Sequence, residues 1–257
     1  MPTNSLRRVI LALAVTVLPL SPAFAQTAPG STTDPSDVRY PWAVEFGIGW
    51  DNSISGNINS SGIGRINNQP VVILKNTYED VYGTGLHLKF GGGYFVDEIS
   101  EIRATFTFQS LDADLTPMGD IGTSRLYGQY QDYQSFGLDV GFRIYAKGQD
   151  ASLRPYAEAT AGIAFIDETD VTLVAPSIGF TGTATDFYDR TAAFTLGGNA
   201  GVTWQVADQV EVFGQLGLRW VSGMSAVDGL AGTGLETIND NSARWTVPFV
   251  VGVRARF

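Results

Sequence analysis

Trp245-Thr246-Val247-Pro248-Phe249-Val250-Val251-Gly252-Val253-Arg254-Ala255-Arg256-Phe257 is the stretch on which the fold turns. Every second side chain, from Trp245 through Val247, Phe249, Val251, Val253 and Ala255 to Phe257, is apolar or small. The residues between them end in Arg254 and Arg256. A period of two with one apolar face is the signature of a β-strand. The arginines require the second face to be wet or ion-paired.

The same alternation recurs upstream and predicts seven more strands, over Trp42–Trp50, Tyr82–Gly93, Ser100–Ser110, Tyr130–Ala146, Pro155–Phe165, Ala192–Val206 and Val210–Val221. In the first, Trp42, Val44, Phe46, Ile48 and Trp50 share one face, and Ala43, Glu45, Gly47 and Gly49 the other. Eight is an even number, as a closed antiparallel barrel of this kind requires. The connections alternate in length. Those at 96–99, 147–153 and 207–209 are short, whereas 51–81, 111–129, 166–191 and 222–243 are long. Short turns at one end and long loops at the other are the asymmetry of outer-membrane barrels, with both chain ends on the periplasmic side.

All five tryptophans, Trp42, Trp50, Trp204, Trp220 and Trp245, fall on the apolar parity near strand ends. Trp42 and Trp204 belong with Phe257 at one rim, and the other three at the opposite rim. This is the pattern of an aromatic girdle at each interface of a membrane. From Trp42 to Trp50 a strand tilted by roughly 40° at about 3.3 Å per residue rises about 20 Å, close to the height of an outer-membrane apolar band. A secreted lipocalin-like barrel would bury its apolar face and expose the charged one.

The inward parity carries Glu45, Glu101, Asp139, Glu158 and Glu211 against Lys89, Arg103, Arg143, Arg219, Arg254 and Arg256. A barrel of eight strands holds side chains and no wide aqueous pore. Buried charges persist when paired and hydrogen-bonded, so these residues are expected to form an ion-pair network that plugs the lumen. The net charge of −10 then resides mostly in the long loops, through residues such as Asp112, Asp114, Asp167, Glu168 and Asp170. Such a surface repels nucleic acid and is suited to sharing divalent cations with lipopolysaccharide phosphates. The carboxylate spacing matches no dedicated calcium loop, so it reads as solvated charge.

Arg7 and Arg8, the apolar run Val9–Leu20 and the small-x-small triplet Ala23-Phe24-Ala25 predict a signal peptide over 1–25. Twelve apolar residues are too few to span about 30 Å of hydrocarbon as a helix. Residues 26–40, rich in Pro, Ser, Thr and Asp, read as a flexible periplasmic leader, and 41–257 as the barrel. Cysteine is absent, which excludes disulfides and a thiol nucleophile. Glycine, 30 of 257 residues, suits crowded or bent strands. The pairs Gly83-x-Gly85 and Gly232-x-Gly234 lack the strand–helix context of a nucleotide site. Neither a cofactor nor a metal site is expected. His87, the only histidine, falls inside the second strand and reads as a hydrogen-bonded lumen filler.

On these grounds the chain resembles the small eight-stranded outer-membrane barrels of the outer-membrane-protein-A and opacity-protein type, over about Pro41–Phe257. The resemblance implies that the terminal Phe257 belongs to the signal read by the barrel assembly machinery. It implies residence in the outer membrane after export through the periplasm, as a monomer among lipid and lipopolysaccharide. The expected role is structural or surface-interacting and not enzymatic. A narrow porin-like channel for ions or small solutes is the alternative. A lipid-modifying enzyme, which in similar barrels uses a His with Ser and an acid near the outer rim, comes third.

Overall fold

The computed structural model describes residues 39–257 apart from 228, 229, 231 and 240, with the backbone alone at 184–186. The expected signal peptide, and the expected leader up to residue 38, lie outside the described residues.

Eight long strands carry the alternation: β1 (Trp42–Ser55), β2 (Gly85–Phe95), β3 (Ser100–Leu111), β4 (Tyr133–Tyr145), β5 (Leu153–Ile166), β6 (Thr191–Ala207), β7 (Val210–Val221) and β8 (Arg244–Arg256). Each pairs antiparallel with its neighbours, and β1 closes on β8 to complete a barrel. At the seam the Trp42 amide donates to the Phe257 carbonyl (3.0 Å) and the Phe257 amide to the Trp42 carbonyl (2.9 Å). The apolar parity faces out. Phe90, Phe106, Val140, Phe194 and Trp204 are each more than half exposed, and the opposite parity is buried. A belt of exposed apolar side chains around a ladder with no free edge is what a bilayer covers. The chain is therefore an all-β, antiparallel, eight-stranded transmembrane barrel of the up-and-down kind. Among the described residues no helix is long and apolar enough to cross a membrane.

Strand boundaries differ from the sequence reading at the outer end. β1 continues to Ser55, while β2 and β4 begin at Gly85 and Tyr133, three residues later than the alternation suggested. The larger difference lies in the long connections, which are not merely solvated loops. They fold into a cap with a six-stranded sheet ordered Phe180–Tyr188, Thr169–Ala175, Ser124–Tyr130, Leu115–Ile121, Gln69–Ile73, Gly62–Ile66. Local chemistry specifies these hairpins. Asn67 and Asn68 both take positive φ (50° and 62°) between the paired residues Ile66 and Gln69, as a two-residue type I′ turn demands. Gly122, at φ 58°, sits between Ile121 and Ser124 in the next hairpin. The last long connection covers the sheet edge at Gly62–Ile66, where the Arg65 amide donates to the Thr233 carbonyl (2.7 Å).

The cap has a hydrophobic core of its own, and that core continues into the barrel mouth. Val71, Ile73, Met118, Leu126, Tyr130, Leu173 and Phe187 from the cap join Leu111, Tyr133, Ala164, Ile166, Ala193 and Val221 from the inward faces of β3 to β7 in one buried cluster. The lumen wall thus turns from charged to apolar toward its outer end, and the cap covers the apolar ring.

Candidate functional site: the charged lumen

Cross-strand register builds the lumen network. Around one part of the wall Glu211, Arg254 and Glu45 lie side by side on β7, β8 and β1. Around another, Glu101, Arg143 and Glu158 do so on β3, β4 and β5. Two acid–base–acid triads of directly opposed residues follow from the pairing alone, because opposed side chains on one face lie within reach.

The triads meet in the middle. Glu45 contacts Arg103 closely and lies 3.2 Å from Lys89, 3.2 Å from Arg143 and 3.4 Å from Arg254. Glu158 holds Arg143 at 2.5 Å, with Arg103 at 3.6 Å and Lys89 at 3.7 Å. Glu101 accepts from Arg103 at 3.0 Å and from the Tyr145 hydroxyl at 3.0 Å, and is ion-paired with Arg254 at 2.9 Å. Glu211 joins Arg154 (2.6 Å), Arg254 (3.3 Å) and Arg256 (3.3 Å) nearest the periplasmic end. Asp139 stands apart, bonded to the Thr195 hydroxyl (2.5 Å) and to Arg219 (3.4 Å). The space is tight: a Cβ added to Gly93 would lie 1.7 Å from Glu101 Oε1.

Three charged residues of the lumen were not assigned there by sequence. Arg154, at the start of β5, contacts Glu211 with its guanidinium 4.3 Å from the Tyr145 ring centre. Arg244, the first residue of β8, lies 4.1 Å from the Tyr133 ring centre beneath the cap. Asp51, read as the start of a loop, faces inward on the extended β1 and is 1% exposed. Parity carries the signal, since Asp51 is two residues from the inward Gly49, Arg154 four from Glu158 and Arg244 two from the buried Thr246, and the strands extend past the strict alternation at these ends. The described lumen therefore holds six buried acids (Glu45, Asp51, Glu101, Asp139, Glu158, Glu211) and eight buried bases (Lys89, Arg103, Arg143, Arg154, Arg219, Arg244, Arg254, Arg256). The near-cancellation expected from sequence becomes a surplus of two positive charges.

His87 sits in the upper lumen, 3% exposed, in a fixed relay. Gln109 Oε1 accepts from Arg244 (3.2 Å) and from Ser135 (3.1 Å), while Gln109 Nε2 donates to Asp51. The arginine and the carboxylate fix the amide's orientation, so Nε2 is also the donor to His87 Nδ1 (3.3 Å). That leaves the imidazole proton on Nε2. Among the described residues no group of three or more His, Asp or Glu is placed to hold a metal ion.

The charged layer is bounded at both ends. Above it lies the cap core, and below it Ala43, Phe95, Tyr145 and Tyr156 form a second apolar cluster. At the periplasmic mouth Gln149 ties down Tyr40 through two hydrogen bonds of 3.1 Å. Outside, Trp42, Trp50, Trp204 and Trp245 are 40–58% exposed. Trp42 packs on Tyr94 (4.7 Å), Trp50 on Phe249 (4.8 Å), and Trp220 pairs across the strands with Trp245.

No protein-family model matches the chain, and no curated protein does. Among solved structures it is similar to Neisserial surface protein A, with a TM-score of 0.45 at 11% identity over 84% of this chain and 97% of that one. The outer membrane protein OprG from Pseudomonas aeruginosa gives 0.44 at 10% identity over 85% and 96%. The outer membrane protease OmpT from Escherichia coli gives 0.42 at 6% identity over 89% and 100%. The barrel itself is established by the closed ladder of this chain.

Proposed function

We propose that this protein is a plugged barrel of the bacterial outer membrane that carries a folded extracellular cap for structural or surface-interaction work. The observation that supports this most is the triple closure of the lumen: an apolar core at the outer mouth, an ion-pair layer in the middle and aromatic rings below. An ion crossing it would have to break contacts on Glu45 or Glu158, which cost several kcal/mol each when buried. The sheet face of the cap, with Ile63, Val72 and Leu115 exposed beside Arg125 and Asp120, is what the protein offers to the outside. Phe257, which completes the seam with Trp42, serves in this reading as the terminal signal for barrel assembly, with lipopolysaccharide and lipid as the surrounding partners. The long connections carry most of the acidic residues outside the lumen, and nucleic acid is an unsuitable ligand for them.

Planar bilayers test the reading. Purified protein should give rare, small conductance events or none. A steady open channel would replace this reading with the narrow-channel alternative.

A further inference from the structure

Between the ion-pair layer and the cap core lies a cavity of about 30 Å³, lined by His87, Lys89, Thr107, Asp139, Glu158 and Arg219 among others. A volume of this size admits a monatomic ion or about two waters, and no organic solute. Two of its lining side chains carry potential donors with no hydrogen bond, Arg219 Nη1 and Thr107 Oγ1, whereas Glu158 Oε1, also without one, lies 3.7 Å from Lys89 Nζ. Each of these residues is more than nine-tenths buried. His87 adds a donor, because its relay to Gln109 leaves the proton on Nε2. The two carboxylates at the cavity already have donors, Asp139 from Thr195 and Arg219, and Glu158 from Arg143. Around them the buried lumen carries two more cationic than anionic side chains.

We propose that this cavity binds one halide-sized monovalent anion, held by Arg219, Thr107 and His87. The inference rests on the plugged-lumen reading. Waters alone satisfy orphaned polar atoms but leave the surplus positive charge uncompensated in a low-dielectric interior. A bound cation adds to that surplus. An anion accepts from Arg219 Nη1, Thr107 and His87 and offsets the surplus, while Glu158 Oε1 has Lys89 Nζ at 3.7 Å as its counter-charge.

Refolding from urea into detergent micelles in sodium bromide or sodium gluconate, at one ionic strength, tests the proposal, since gluconate is too large to enter. Crystals of the bromide-refolded protein should show one anomalous peak inside the barrel, within hydrogen-bond distance of Arg219 and Thr107. The unfolding midpoint should rise by about 3–5 °C per tenfold increase in bromide above the dissociation constant. Thr107→Val, which leaves the Arg219–Asp139 pair in place, should flatten that dependence while the protein still folds, and Arg219→Gln should abolish it. Lumen density without anomalous signal, together with a midpoint indifferent to bromide, would overturn the anion site. If bilayers are silent in that case, the plug stands without it. Steady conductance would instead remove the plug and the anion site together.

Discussion

Arg143 has far more to lose than Arg219. It is fully buried, 2.5 Å from Glu158 and 3.2 Å from Glu45, with the Tyr156 ring centre 4.0 Å away. Arg219 faces a single carboxylate at 3.4 Å beside a cavity. Removing one partner of a buried pair costs about 3–5 kcal/mol, because the other charge is left unpaired. Arg143→Ala should therefore lower urea-unfolding stability in micelles by about that much, and Arg219→Ala by clearly less. Equal losses below about 1 kcal/mol in both would mean that the lumen charges are solvated. At this scale the sequence was readable wherever parity alone decides. Every inward acid and base named from the alternation faces the lumen, because a strand inverts its side chains with a period of two. Parity does not give distance, so the sequence could not show that Glu45 meets four bases while Asp139 meets one.

At the level of elements, the barrel strands were legible and the cap strands were not. β7 matches its expected span, and β3 and β5 differ by one or two residues at an end. A lipid-facing strand advertises itself with five or more apolar side chains in strict alternation. A cap strand such as Gln69–Ile73 buries only Val71 and Ile73, so its pattern is too short to read. Its signals were turn chemistry at Asn67-Asn68 and apolar residues on the inward parity at Leu111, Ile166 and Val221. The cap depends on its own backbone devices. Gly119 has φ 146°, at an irregularity in the pairing of Leu115–Ile121, and a Cβ there would lie 1.8 Å from the Val72 carbonyl oxygen. Gly119→Ala should therefore displace the Gln69–Ile73 strand and open the cap to limited proteolysis, while the barrel keeps its different gel mobility before and after boiling. Unchanged protease resistance of the cap would show that the sheet absorbs the clash.

In the whole molecule two cores of different chemistry are stacked along one axis, a charged one inside the membrane and an aromatic–aliphatic one above it. They share Tyr133 and Arg244, where the top of the lumen meets the base of the cap. The two should answer differently to alkali. Burial raises the phenol of Tyr78, with Arg244 opposing and Tyr133 adding to the rise. Burial likewise raises Tyr82 and Tyr130, and neighbouring tyrosines add to both. Below the ordinary tyrosine pKa of about 10, the phenols are protonated whether the cap is folded or open, and they contribute nothing to its pH dependence. Above it, the opened cap releases protons that the folded cap retains, so stability falls as pH rises. One unit above that value costs about 1.4 kcal/mol for each such tyrosine, or about 4 kcal/mol for the three. An opened cap should then appear between about pH 10 and 12, seen as cooperative tyrosinate absorbance and faster cap proteolysis. Seven of the eight lumen bases are arginines, which keep their charge over this range, so the strand circular dichroism and the mobility of the unboiled protein should hold. Gradual, non-cooperative tyrosine titration near pH 10 with the cap still protease-resistant would mean that these phenols are wet and that the cap has no closed core.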